Sequence, residues 1–131
     1  MGSEMCIRDS HADVILVGGS TTAPVDIDSL LRRIRQTCPQ PIVLFPGHVN
    51  QLSTEAEMIL LPSIISGDSF QYVIGEHITH AQRVKALHLP VTSAGYILID
   101  GGQPSSTSLM TSSRPMDAKD IRAIENTALA A

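Results

Sequence analysis

The residues in this chain that could do chemistry stand directly after short apolar runs. Gly18-Gly19-Ser20-Thr21-Thr22 follows Asp13–Val17. Glycines there let backbone amides approach a ligand, and the hydroxyls can bind a phosphate or a hydrated metal ion. The turn is not a dinucleotide fingerprint, because the third glycine is missing, and the same composition serves many plain strand-to-helix turns. His48, Asn50, Gln51 and Ser53 follow Ile42–Phe45, and Ser63 and Ser66 follow Met58–Leu61. Tyr96 and Asp100 sit at the ends of a further apolar run, Tyr96–Ile99. His77 and His80 are three apart on a helical stretch and could share a face. Glu76 is next to His77 in the chain and does not complete a metal motif by spacing, so two half-buried histidines are the plainer reading.

These groups need elements to hold them. Runs of four or five apolar residues, closed by Pro46-Gly47 or by Pro62, read as buried parallel strands. Ligands of such sheets bind beyond the carboxyl ends of the strands. Asp26–Gln36 reads as a helix, with Ile27, Leu30, Leu31 and Ile34 on one face and acidic and basic ends matching the helix dipole. Arg32, Arg33 and Arg35 read as a solvated face, and Cys38 as a small buried residue. The link Pro46–Glu57 is close to the shortest that can cross between parallel strands, so the βα rhythm loses a helix there. Asp68-Ser69 can cap a helix to about Leu87, with Phe70, Val73 or Ile74, His77 or Ile78, Ala81 and Val84 on its apolar stripe. Pro104–Arg114 reads as a Ser/Thr-rich loop, and Asp117 as the cap of a last helix that runs to the end of the sequence. Strands alternating with helices imply one parallel sheet with right-handed crossovers.

Bulk properties narrow the class. The chain of 131 residues is 43% hydrophobic and 17% charged, the balance of a globular domain. Its formal net charge is -4, with no basic run and 3% aromatics, which argues against a nucleic-acid partner. No apolar run approaches the roughly 18 residues of a membrane span. Two cysteines fit a reducing compartment better than a disulfide scaffold, so a cytoplasmic location is expected. Residues 1–10, MGSEMCIRDS, lack any hydrophobic period and resemble the translation of a transposase-type library adapter. They are set apart as a non-native segment from a domain over 11–131; an ordinary frayed N-terminus is the alternative.

Four stretches, DVILVGGST, PIVLFPGHVNQLS, ILLPSIISGDSFQYVIGEH and AGYILIDGGQPSS, resemble successive segments of the geranylgeranylglyceryl/heptaprenylglyceryl phosphate synthases. The VNQLS and ILIDGG forms are most similar to the archaeal and Bacteroidetes-like branch. The resemblance implies an α/β fold, a partial (β/α)8 TIM barrel of about strands 2 to 5, with helix 3 replaced by the short link. It implies a prenyltransferase that joins sn-glycerol 1-phosphate to a polyprenyl diphosphate with Mg²⁺, making an ether-lipid precursor. It further implies work beside a membrane surface and association of complete members into homo-oligomers. On the same ground Ser20 is the metal-binding position, and Gly18, Gly19 and Tyr96 are substrate-binding positions. Phe70 and Tyr72 could touch the prenyl tail, although core packing is the simpler role. The family's first-strand Lys and metal-binding Asp, its Tyr-Leu-Glu segment and its glycerol-phosphate loops have no counterpart here. The catalytic residues are therefore unassigned and the isolated chain is expected to be inactive. A small non-catalytic α/β phosphate-binding module is the alternative, and another phosphate-binding barrel enzyme a third reading.

Overall fold

The structure, a computed structural model, describes residues 11–19 and 25–131. Ser20, Thr21, Thr22 and the whole 1–10 segment lie outside the described residues. Four strands, β1 (Ile15–Val17), β2 (Ile42–Leu44), β3 (Met58–Ile64) and β4 (Val91–Tyr96), form one sheet in the order β1-β2-β3-β4. Every neighbouring pair is parallel, with Ile15 beside Ile42, Leu44 beside Ile59 and Ile59 beside Val91. Helices α1 (Ile27–Thr37) and α2 (Glu76–Ala86) make the crossovers, and α3 (Ser106–Thr111) and α4 (Ile121–Leu129) follow β4. No described helix is long and apolar enough to cross a membrane.

Helix α1 follows from its sequence. Asp26 caps it by accepting the Ser29 N–H at 3.1 Å, and the Ser29 hydroxyl donates to the same carboxylate at 2.6 Å. These bonds favour the ionised form and hold the Asp26 carboxyl below its ordinary value. The Ile27–Leu31 face packs on β2 and β3, where Leu31, Ile42, Leu44 and Ile59 are fully buried. Cys38 is buried, as expected. Arg32 and Arg35 are more than a solvated face. Arg32 pairs with Glu55 at 2.9 Å, and Arg35 with Glu57 at 2.5 Å and with the Glu55 carbonyl. The link Pro46–Glu57 is thereby fastened to α1. It holds one short 3-10 turn, Val49–Gln51, and lays Leu52 and Ala56 on the core in place of a helix.

The fold departs from the sequence expectation in its strands and in its last two helices. Pro62 does not end β3, which continues to Ile64 opposite Tyr96. Ile59 donates its N–H to Pro90 across the β4 side. By alternation the amide position of Pro62 faces β2, and β2 stops pairing at Ile59, so proline's missing N–H breaks no ladder bond. The strand expected at Tyr96–Ile99 is instead Val91–Tyr96; beyond it Ile99 makes a single bridge to Met116. VTSAGY lacks an apolar run, and much of β4 is exposed, with β3 its one strand neighbour among the described residues. Pro104–Arg114 is not all loop, since Ser105 caps α3 by accepting the Ser108 N–H. Asp120, not Asp117, caps α4.

The helix after β3 begins irregularly. Gln71–Gly75 is a π-helical turn, in which Glu76 donates its N–H to Gln71, five residues back. The extra residue rotates every later side chain relative to a 3.6-residue count from Phe70. Phe70, before the π turn, is 67% exposed; of the two alternatives at the third position of the expected stripe, Ile78 is 64% exposed and His77 half-buried.

Candidate active site

An elongated cavity of about 760 Å³ opens at the carboxyl ends of the strands. Gly18 and Gly19 after β1, Phe45–Val49 after β2, Ile64 of β3 and Tyr96 of β4 contribute to it. It runs along α2 past Ala81 and Val84 to Lys85 and Val91, near the opposite ends of the strands. From Tyr72 to Lys85 that is roughly 20 Å at about 1.5 Å per residue. Most of the wall is apolar, with Leu52 and Leu61 in its middle. The space exists because β2 and β3 part after Ile59 and because no helix follows β2.

The glycine turn is held tightly. A Cβ on Gly18 would lie 1.8 Å from the Phe45 carbonyl oxygen, so only glycine fits against that strand. Gln51, 7% exposed, reaches under the turn. Its Oε1 accepts the N–H of Gly47 at 2.9 Å and of Gly19 at 3.3 Å, and its Nε2 donates to the Gly19 carbonyl at 3.0 Å. The Gly19 amide expected to meet a ligand thus already has a partner within the protein.

Polar groups gather on the α2 wall. Glu76 accepts from His80 Nε2 at 2.8 Å and from Gln71 Nε2 at 2.5 Å, and the His48 ring lies 6.0 Å from that of His80. Burial pushes the Glu76 carboxyl up, but the bonds from Gln71 and His80 and the nearby His80 and His48 rings outweigh it. The result is a carboxyl held below its ordinary value. A carboxylate that holds one imidazole N–H orients the ring and fixes its tautomer. His77 is occupied differently, donating from Nε2 to the Pro62 carbonyl at 3.0 Å. Edge-to-face contact between Phe45 and Tyr96, centroids 5.7 Å apart, closes the strand-end side.

Gly18, Gly19 and Tyr96 line one cavity, while Ser20 lies outside the described residues. Asp100 does not join them. It is exposed, accepts the Gly102 N–H, and lines a separate cleft with Arg114. Of the other polar candidates, Ser53 is buried against Asp28 and Ser66 accepts the Leu98 N–H. Tyr72 lines the cavity and bonds the Met110 carbonyl; Phe70, exposed, is neither core nor lining. Sequence spacing missed the Glu76–His80 pair, although i,i+4 was the available signal. No group of three or more His, Cys, Asp or Glu among the described residues could hold a metal ion. Magnesium prefers oxygen ligands in octahedral array, so the described residues do not fit it.

Known proteins resemble the chain along nearly its whole length. The PcrB family profile matches residues 3–130. A geranylgeranylglyceryl phosphate synthase of Chitinophaga pinensis is 39% identical over 114 residues, covering 86% of this chain and 45% of the relative. The enzyme of the same name from Zunongwangia profunda is 35% identical over 116 residues, covering 88% and 50%. Among solved structures, the (S)-3-O-geranylgeranylglyceryl phosphate synthase of Thermoplasma acidophilum in complex with sn-glycerol-1-phosphate aligns with TM-score 0.82 at 24% identity. That alignment covers 97% of this chain and 50% of that one. A wild-type GGGPS from Thermoplasma volcanium gives TM-score 0.82 at 21% identity, with the same coverage. The chain spans about half the length of the curated relatives it matches. Its four parallel strands are a partial (β/α)8 barrel, and the chain belongs to the PcrB family.

Proposed function

We propose that this chain forms the prenyl-binding part of a prenyltransferase that joins sn-glycerol 1-phosphate to a polyprenyl diphosphate. The observation that carries the reading is 39% identity over 114 residues to a named geranylgeranylglyceryl phosphate synthase. The cavity supports it, because a long apolar groove suits a hydrocarbon tail and excludes water that would compete for the prenyl carbon. In this reaction the allylic carbon–oxygen bond to diphosphate breaks and an ether bond to the glycerol oxygen forms. The glycerol hydroxyl loses its proton. Leu52, Leu61, Ala81 and Val84 line the tail's path, and the Phe45–Tyr96 pair flanks the strand ends where the reacting carbon would lie.

Magnesium dependence belongs to the same reading, with Ser20 the residue this chain would offer. One hydroxyl is a poor magnesium site, so carboxylate ligands must come from beyond the described residues. The reaction would take place in the cytoplasm at the membrane surface that receives the lipid. The alternative of a non-catalytic phosphate-binding module is less supported, because Gln51 already takes the Gly19 and Gly47 amides.

The test is transfer of labelled geranylgeranyl diphosphate to sn-glycerol 1-phosphate. It would compare the 131-residue chain with the same chain joined to the complementary half of the Chitinophaga pinensis relative. The joined protein is expected to make product, and chelation to abolish it. The chain alone is expected to make none. A folded joined protein without product would overturn the function, and product from the chain alone would overturn its inactivity.

A further inference from the structure

We propose that Gln51 is a positioning residue, whose side-chain amide locks the Gly18–Gly19 turn, and so the segment leading into Ser20, onto the loop after β2. The inference rests on the proposed prenyl transfer only for its kinetic consequence; the lock itself stands on geometry.

Three bonds make it. Oε1 of Gln51 accepts from Gly47 N–H at 2.9 Å and Gly19 N–H at 3.3 Å, and Nε2 donates to the Gly19 carbonyl at 3.0 Å. Gln51 thus grips both the amide and the carbonyl of Gly19 while staying buried at 7% exposure. An amide is suited to this, since it accepts and donates from adjacent atoms. The grip also joins two loops that the sheet alone leaves free, because the β1–β2 ladder ends at Val17 and Leu44. Gly18 reinforces it from the other side by its contact with the Phe45 carbonyl. The 3-10 turn Val49–Gln51 brings Gln51 round to this position, and His48 starts that turn by accepting the Asn50 N–H on Nδ1. The helix-less link therefore has a second role besides opening the cavity: it braces the glycine turn at the cavity rim. Bracing of this kind keeps a site within the small tolerance that catalysis requires.

The test uses amide hydrogen exchange by NMR on the 131-residue chain. Gln51→Met keeps the length and removes all three bonds. Gln51→Glu keeps an acceptor for both amides and loses the donor. In Gln51→Met the Gly19 and Gly47 amides are expected to exchange about tenfold faster or more, while the Ile59 amide keeps its protection. Gln51→Glu, which keeps the acceptor but sets a carboxylate oxygen against the Gly19 carbonyl, is expected to exchange faster than wild type and slower than Gln51→Met. Unchanged exchange in Gln51→Met would overturn the lock. Should Gln51→Met fail to fold, unchanged exchange of both glycine amides in a folded Gln51→Ala would overturn it instead. In the joined protein, Gln51→Met is expected to lower kcat about tenfold and leave KM for sn-glycerol 1-phosphate within about twofold. That split follows because the loops for the glycerol phosphate lie outside this chain on the family resemblance. An unchanged kcat, or a loss carried by KM, would overturn the positioning role. If the wild-type joined protein makes no product, the functional reading fails, and the exchange result alone decides the lock.

Discussion

Two neighbouring glycines at the cavity rim have opposite tolerances. Gly18 has no room for a Cβ, whereas among the described residues nothing lies within 4 Å of the place where a Gly19 Cβ would be. Gly18→Ala is expected to cost about 3 kcal/mol or more in urea unfolding, by backbone displacement. Gly19→Ala is expected to stay within about 0.5 kcal/mol, the range of an unhindered site. Equal losses would show that the turn does not sit against Phe45. The Glu76 carboxyl makes a pH prediction. Its folded value lies below the ordinary value of 4.5, so its stabilising effect is fully present above that range. The effect is lost as pH falls through the depressed folded value. Acid unfolding of the wild type and of Glu76→Gln should therefore converge as pH drops below about 4.5, with the wild type more stable above it. A stability gap that persists unchanged into strong acid would contradict a Glu76 carboxylate held by the Gln71 and His80 bonds.

Strand β3 is the element whose behaviour depends most on its neighbours. On its β2 side the ladder ends at Ile59, and on its β4 side it continues to Ile64. Proline is therefore tolerated at 62 and should not be tolerated one residue later. Ser63→Pro would remove an N–H that faces β4, and is expected to destabilise by about 3 kcal/mol or more. Pro62→Ala should change stability by less than about 1 kcal/mol. Thermal melting of the two variants separates the alternatives, and a mild Ser63→Pro would mean the β3–β4 pairing is wrong at that point. The π-helical turn at Gln71–Gly75 belongs to the same scale. It sets the phase of α2, whose Glu76, His77 and His80 stand on the cavity wall.

At the scale of the whole molecule, the described sheet is open on two sides. Among the described residues β1 and β4 each have one strand neighbour. Val14 and Leu16 at the β1 end are 40% and 55% exposed, and Val91 at the β4 end is 45% exposed. Open parallel edges and bare apolar side chains favour pairing with other chains. The purified chain is expected to associate as concentration rises. Sedimentation measured over a hundredfold concentration range checks this, and a single monomeric species throughout would refute it.

Much of this architecture was legible in the sequence because it is locally determined. Apolar runs, the Asp26 cap and the periodicity of α1 depend on residues within a turn or two of one another. The alternation of strands and helices then forces a parallel sheet, and the short link after β2 marks where a helix is absent. The same locality brought Gly18, Gly19 and Tyr96 to the strand ends, where one cavity gathers them. What the sequence could not decide were choices made by partners distant in the chain. Whether Pro62 ends a strand depends on which edge is paired, and β4 is a strand because β3 lies beside it, not because VTSAGY is apolar. Gln51 reads as a ligand-facing polar residue until the fold brings Gly19 and Gly47 to its amide. Glu76 and His80 reach the cavity because the chain winds one π turn before them. Local preference sets each element; register, helix phase and burial exist only once the elements pack, and these assigned each polar group to ligand, scaffold or solvent.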